Sequence, residues 1–178
     1  MKASVAFSFL LVVGASCASG PLVRDDDMSA AQHRSAAARA AEAPTDASRD
    51  HAREHAAAAA FLEQFEDDAC GGVPPSERAA CPLLGPLAGL EDVPGGVRAT
   101  FADAARVHDA IAEMRCHYAF ARARHFEESV SCPLYVHGVE IRRGLDPRSV
   151  EIVARDEATV RLIRERSRAQ ALLVRRGL

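Results

Sequence analysis

The chain predicts an α+β fold: duplicated β-hairpin–helix units form a four-stranded antiparallel sheet packed by helices, preceded by one N-terminal helix. Three observations carry this. Cys-Pro-Leu occurs twice, at Cys81-Pro82-Leu83 and Cys132-Pro133-Leu134. Each copy is followed by alternating apolar positions, a Gly/Pro turn, a second alternating run and an aspartate that opens a helical stripe. Between the copies, Ala102–Glu127 reads as one long helix.

The elements follow in order. Thr45 or Asp46 can cap a helix to about Asp67, because Ser, Thr, Asp and Asn side chains accept from unpaired first-turn N–H groups. His51, His55, Ala58, Leu62 and Phe65 share one face at helical spacing, and Phe61 widens it. Cys70-Gly71-Gly72 closes the helix, and Pro74 and Pro75 bar its continuation. In the first unit Leu84, Ala88 and Leu90 keep strand spacing. Pro94-Gly95-Gly96 turns the chain, and Val97, Ala99 and Phe101 alternate again. Asp103 caps the central helix, whose stripe is Val107, Ile111, Met114, Tyr118, Ala121 and His125. The second unit repeats this with Tyr135, His137, Val139 and Ile141, a turn over Gly144–Pro147, then Val150, Ile152 and Ala154. Asp156 caps a last helix carrying Val160, Ile163, Ser167 and Val174. Cys81 aligns with Cys132, Leu90 with Ile141, Val97 with Val150 and Asp103 with Asp156, after two extra residues in the second turn.

The chain of 178 residues is long enough for one domain with a real core. Charge is near balance, with 22 basic against 25 acidic residues, so no polyanionic partner is implied. Aromatics are 5% with no tryptophan, which argues against base-stacking platforms. The sequence lacks G-x-x-x-x-G-K, G-x-G-x-x-G after a strand, and G-x-S-x-G, so neither a nucleotide nor a nucleic acid is an expected partner.

The N-terminus has the layout of an export signal: Lys2, a short apolar run Val5–Val13, then Gly14, Ala15 and Ser16 before Cys17. The run is too short to cross a bilayer as a helix. Residues 1–17 resemble a bacterial lipoprotein precursor, in which the residue after cleavage is a lipid-modified cysteine. The resemblance implies lipidation of Cys17, a membrane anchor and a place in the periplasm or outer membrane. Ordinary cleavage after Ala18, giving a soluble secreted protein, is the alternative. Residues 18–45, polar and rich in Ala, Asp and Ser, read as a flexible tether with transient helix over Ser29–Glu42. Residues 46–178 then form one domain: helix and loop 46–80, repeat one 81–127 and repeat two 128–178.

Four cysteines remain beyond Cys17: Cys70, Cys81, Cys116 and Cys132. In an oxidising compartment an even count points to two disulfides. The pairing that follows the repeat is Cys70–Cys81 with Cys116–Cys132. The rival joins Cys81 to Cys132, at the starts of equivalent units.

Chemistry-bearing residues are few. His51-Ala52-Arg53-Glu54-His55 matches the H-x-x-E-H zinc-peptidase pattern, but no motif nominates a third ligand, so no enzyme is expected. Two histidines at i, i+4 can still clasp a metal. Met114 and His117, at i, i+3, can both reach a soft ion. His108, His125 and His137 add further imidazoles. Arg161, Arg164, Arg166, Arg168, Arg175 and Arg176 read as a solvated face of the last helix. The expectation is a non-catalytic interaction or structural module of the cell envelope, stapled by disulfides and meeting an envelope protein partner. The alternative is a periplasmic soft-metal protein binding copper or zinc, with copper favoured by methionine and thiol.

Overall fold

A computed structural model of the chain describes residues 28–43, 45–79, 81–82, 87–126 and 131–175. The residues read as an export signal, Cys17, Leu83 and Leu84 lie outside the described residues. The elements are α1 (Ala30–Ala41), α2 (Asp46–Ala69), β1 (Leu87–Val93), β2 (Gly96–Phe101), α3 (Arg106–Ala123), β3 (Glu140–Arg143), β4 (Ser149–Val153) and α4 (Glu157–Arg175).

The sheet is antiparallel in the order β1-β2-β4-β3, so the second strand of each hairpin lies at the centre. In the central pair Val97 faces Ile152, Arg98 faces Glu151 and Ala99 faces Val150. Arg98 and Glu151 are 53 residues apart, which is the interval relating Val97 to Val150 in the aligned repeats. Each therefore faces its own repeat image. A residue can pair with its image only on a two-fold axis, so the two units are related by an approximate dyad through Arg98–Glu151. Close approach at this seam requires glycine at 96, where a Cβ would lie 2.0 Å from the Ile152 carbonyl oxygen.

The dyad explains the charge pattern on one sheet row. If the images were identical, like charges would meet at the centre. Instead the row reads Glu91, Arg98, Glu151, Arg142 across all four strands. Arg98 Nη2 donates to Glu151 at 2.7 Å and Nη1 to Glu91 at 2.8 Å, while Arg142 Nη2 lies 2.8 Å from the other Glu151 oxygen. Opposite charges directly across a strand pair are stabilising and like charges are not. The guanidinium of Arg98, with that of Arg142 beside it, holds the Glu151 carboxyl below the usual glutamate range despite its burial.

The other face carries the core. Val97, Ala99, Val150 and Ile152 are fully buried, with Val107, Met114, Leu134 and Ile163 from the elements packed on them. The helices cross over: α3 follows β2 but lies on β3 and β4, and α4 follows β4 but lies on β2 and β1. Each unit thus covers the other's hairpin. Arg164 and Arg168 of α4 reach Asp92 on β1, and Arg164 also donates to the carbonyls of Val93 and Gly96. These arginines, expected on an idle solvated face, tie α4 to the sheet.

Helix ends follow local chemistry. Thr45 caps α2 by accepting from Ser48 N–H, and Asp156 caps α4 by accepting from Thr159 N–H at 2.8 Å. Asp103 caps a turn ahead of α3, accepting from Ala105 N–H, so the helix starts later than expected. It also stops earlier: His125 and Phe126 take φ of 54° and 57°, and Phe126 N–H returns to the Ala121 carbonyl. His125 therefore leaves the stripe in which the sequence placed it. Of the first alternating run in the second unit, only Glu140–Arg143 is strand, ahead of β4. Cys132–Val136 is a buried turn segment that does not alternate, because Tyr135 N–H bonds back to the Cys132 carbonyl.

Two further expectations change. Within the stretch expected to be a tether, residues 30–41 form α1, packed along α2. Alanine has the best helix propensity, and a capping box between Ser29 and Gln32 satisfies the first turn. Two helices, not one, therefore precede the duplicated units. The repeat-wise disulfides do not form. Cys70 is bonded to Cys116, and Cys81 lies beside Cys132. The reason is helix packing: α2 lies on α3, so the buried C-cap Cys70 meets the middle of α3 sooner than its sequence neighbour Cys81.

Two outcomes test this architecture. Closing a loop with a sequence separation of 46 is worth about 4 kcal/mol by chain entropy. Cys70→Ser with Cys116→Ser should therefore lower the stability measured by urea unfolding by several kcal/mol. Glu151→Gln should cost about 2 kcal/mol at pH 7, the range for hydrogen bonds to a charged group. Because the folded pKa of Glu151 is lowered from 4.5, the ion-pair contribution is complete above that value and is lost as pH falls through the folded one. Unfolding curves of variant and parent should converge in acid. Curves that stay separated there would sink the ion-pair account.

Candidate metal centre

Three side chains build the candidate site. The start of repeat one supplies Cys81 and the start of repeat two supplies Cys132. Both sulfurs come together at 3.0 Å. Their Cys-Pro-Leu signatures are images of one another, so they meet where the dyad requires. From α3, buried His117 points Nε2 at the Cys132 sulfur, 3.2 Å away. The ligand atoms of Cys81, His117 and Cys132 all lie within 4.8 Å of one another, and the three could hold a metal ion.

The tautomer of His117 is set from behind. Its Nδ1 lies 2.9 Å from the backbone carbonyl oxygen of Arg78. A carbonyl only accepts, so Nδ1 carries the hydrogen and donates, and the Nε2 lone pair faces the sulfurs. Metal-ligating histidines are oriented in this way by an outer acceptor. Arg78 is held in turn. It donates to Glu66 at 2.9 Å, to Asp67 at 3.0 Å and to the Val73 carbonyl at 3.2 Å. Glu66 is itself clamped from α3 by Arg124 at 2.7 Å. The disulfide fixes the start of the same 70–82 segment at Cys116, one residue from His117.

The surroundings of the sulfurs work in both directions. The Cys81 sulfur alongside, and then burial, push the Cys132 thiol well above its ordinary value, while the backbone N–H groups of Leu134 and Tyr135 act to lower it. Such N–H contacts favour a thiolate once a cation replaces the proton. Tyr135 covers His117 with ring centroids 4.8 Å apart. Arg166 of α4 grips the carbonyls of Cys132 at 3.2 Å and Tyr135 at 2.7 Å. Cys81 also donates to Gln170 Oε1 of α4 at 3.1 Å, and Gln170 is buried. A cleft of about 330 Å³ opens on the Cys81 side, walled by Arg78, Glu77 and Glu113.

Of the residues nominated from the sequence, His117 belongs to this centre, as do Cys81 and Cys132, which had been read as disulfide partners. Met114 lies in the apolar core. His51 and His55 sit elsewhere, on α2. His55 Nε2 is 3.2 Å from His51 Nε2, and His55 Nδ1 is 2.9 Å from Nδ1 of His33 on α1. His55 gives a different nitrogen to each neighbour, so these three imidazoles form a chain and do not converge on one point. His33 carried no signal, because the helix bearing it was read as tether. Gln170 did carry one: the repeat alignment, extended along the last helix at its constant interval, sets it opposite His117.

Among the described residues no helix is long and apolar enough to cross a membrane. No protein-family model matches this chain, and no curated protein or solved structure matches it either.

Proposed function

We propose that this is an exported, envelope-anchored protein that binds one soft or borderline transition-metal ion, copper or zinc, through Cys81, His117 and Cys132, and that it acts without catalysis. The observation that carries the reading is the fixed tautomer of His117. A buried imidazole whose Nδ1–H is committed to a backbone carbonyl offers its lone pair to two adjacent sulfurs, which is the donor set that selects such ions. Thiolates sharing a tetrahedral ion at about 2.3 Å lie about 3.8 Å apart, so the sulfurs must part by roughly 0.8 Å. Cys81, on the cleft side, is the one with room to move. The anchor rests on the resemblance at residues 1–17 and is part of the proposal.

A second reading rests on the same 3.0 Å separation. Two thiols this close can exchange with a disulfide-bearing oxidant. They lose two protons and two electrons to it and become a Cys81–Cys132 disulfide. The protein would then be a doubly stapled interaction module with an envelope partner.

Metal analysis and thiol counting on the purified mature chain distinguish the two. The metal reading expects zinc or copper(I) to bind one-to-one under reducing conditions. Cys81→Ser, Cys132→Ser and His117→Ala should each weaken binding by about tenfold or more, and Met114→Leu should leave it unchanged. Protein that takes up no metal and yields a Cys81–Cys132 peptide on non-reducing mapping would establish the stapled module instead. The anchor has its own test. Cys17→Ser should move the protein from the detergent phase to the soluble fraction or leave its precursor uncut, whereas an unmodified N-terminus at Ser19 would show plain cleavage.

A further inference from the structure

Three side chains leave a tetrahedral ion one ligand short, and the symmetry of the chain nominates the fourth. His117 and Gln170 are separated by the same interval that relates Arg98 to Glu151 and Asp103 to Asp156, so Gln170 is the repeat image of His117. Cys81 and Cys132 are images by the alignment of the two Cys-Pro-Leu segments. The contacts obey the same relation. His117 of the first unit touches the cysteine of the second, at 3.2 Å, and Gln170 of the second touches the cysteine of the first, at 3.1 Å. The two cysteines touch each other, so the cluster lies on the dyad. A tetrahedron has such an axis, which relates its four vertices as two pairs.

We infer that Gln170 Oε1 is the fourth ligand, and that the centre is a closed site for a divalent, tetrahedral ion of the zinc type. This rests on the metal reading above and narrows it. Gln170 is 4% exposed, and its amide oxygen already faces the Cys81 sulfur as the acceptor of a thiol hydrogen. When an ion displaces that hydrogen, the oxygen loses its donor, and the cation is the natural replacement. Charge points the same way. Two thiolates, a neutral imidazole and a neutral amide balance a 2+ ion, whereas copper(I) would leave one negative charge in a buried place. Oxygen is also a poor ligand for copper(I) and an acceptable one for zinc. With Met114 in the apolar core, the thioether that favoured copper is not part of the set.

Cobalt(II), a spectroscopic stand-in for zinc, tests the assignment on the full mature chain. The parent should bind one cobalt with thiolate charge-transfer bands and intense tetrahedral d–d bands. Gln170→Ala should keep the charge-transfer bands, because both sulfurs remain. Its d–d bands should weaken as water enters, and zinc affinity should fall about ten- to a hundredfold. Gln170→Glu, which retains an oxygen, should restore the tetrahedral spectrum. Gln170→His should bind zinc more tightly than the parent. Unchanged d–d bands and zinc affinity in both the alanine and histidine variants would overturn the fourth-ligand assignment while leaving the three-residue site intact. A parent that binds no cobalt would overturn the site and the assignment together.

Discussion

The antiparallel pairing of β2 with β4 is the constraint on which the other features depend. Because each strand belongs to a different repeat, their register places Arg98 against its image Glu151 and makes the axis of the molecule pass between them. Everything near that axis must meet its own counterpart. On the sheet face this would set like against like, and the alternation Glu91, Arg98, Glu151, Arg142 removes the conflict by giving images opposite signs. On the helix side the same rule brings Cys81 to Cys132 and sets His117 against Gln170 across the pair. The sheet edges and the candidate site are consequences of one register. A slip of one residue would turn Val97, Ala99, Val150 and Ile152 out of the core.

The N-terminal helices contribute rigidity to one half of this arrangement. α2 does not supply a ligand. It supplies Glu66, which holds Arg78, and Arg78 presents its carbonyl to His117. Glu66 is buried, and a buried carboxylate is tolerable only because guanidinium groups from two elements share it. The Cys70–Cys116 bond closes the same circuit covalently. The half of the site containing His117 is thus braced by α2, the loop and α3 together. The half containing Gln170 is braced by Arg166 and by the contacts of α4 with the sheet.

The repeat was legible because its markers are local. Cys-Pro-Leu, the Pro94-Gly95-Gly96 turn and the caps Asp103 and Asp156 each act over a few residues, so their chemistry survives without knowledge of the fold. Strand faces were legible for the same reason at Val97, Ala99, Val150 and Ile152. The cysteine pairing was not, since it depends on which turn of α3 faces the end of α2, a matter of helix packing over a long sequence gap. α1 was missed because Ala- and Ser-rich sequence reads as tether when its partner surface on α2 is unknown. Phe61, placed on the packed face of α2, is 61% exposed, because the buried stripe runs through His55, Ala59, Leu62 and Glu66. Of the candidate centre, His117 and both cysteines were individually visible. Their convergence was hidden, because a dyad is a property of strand order and not of either repeat alone.

A metal on that dyad would have a physical task beyond being held. β1 and β3 lie at opposite edges of the sheet, and the segments that lead into them begin at Cys81 and Cys132. In the thiol form those beginnings are in contact through the two sulfurs, and Cys81 donates to Gln170. An ion shared by both sulfurs, with one further ligand from each of α3 and α4, would tie all four lead elements at one point. Its binding energy would then be folding energy for the union of the two repeats. So filled, the centre would differ from an open catalytic one, which keeps a vertex for water or substrate. A charge-balanced buried centre with four protein ligands would be suited to holding two halves together, and the halves here are the two copies of one hairpin–helix unit.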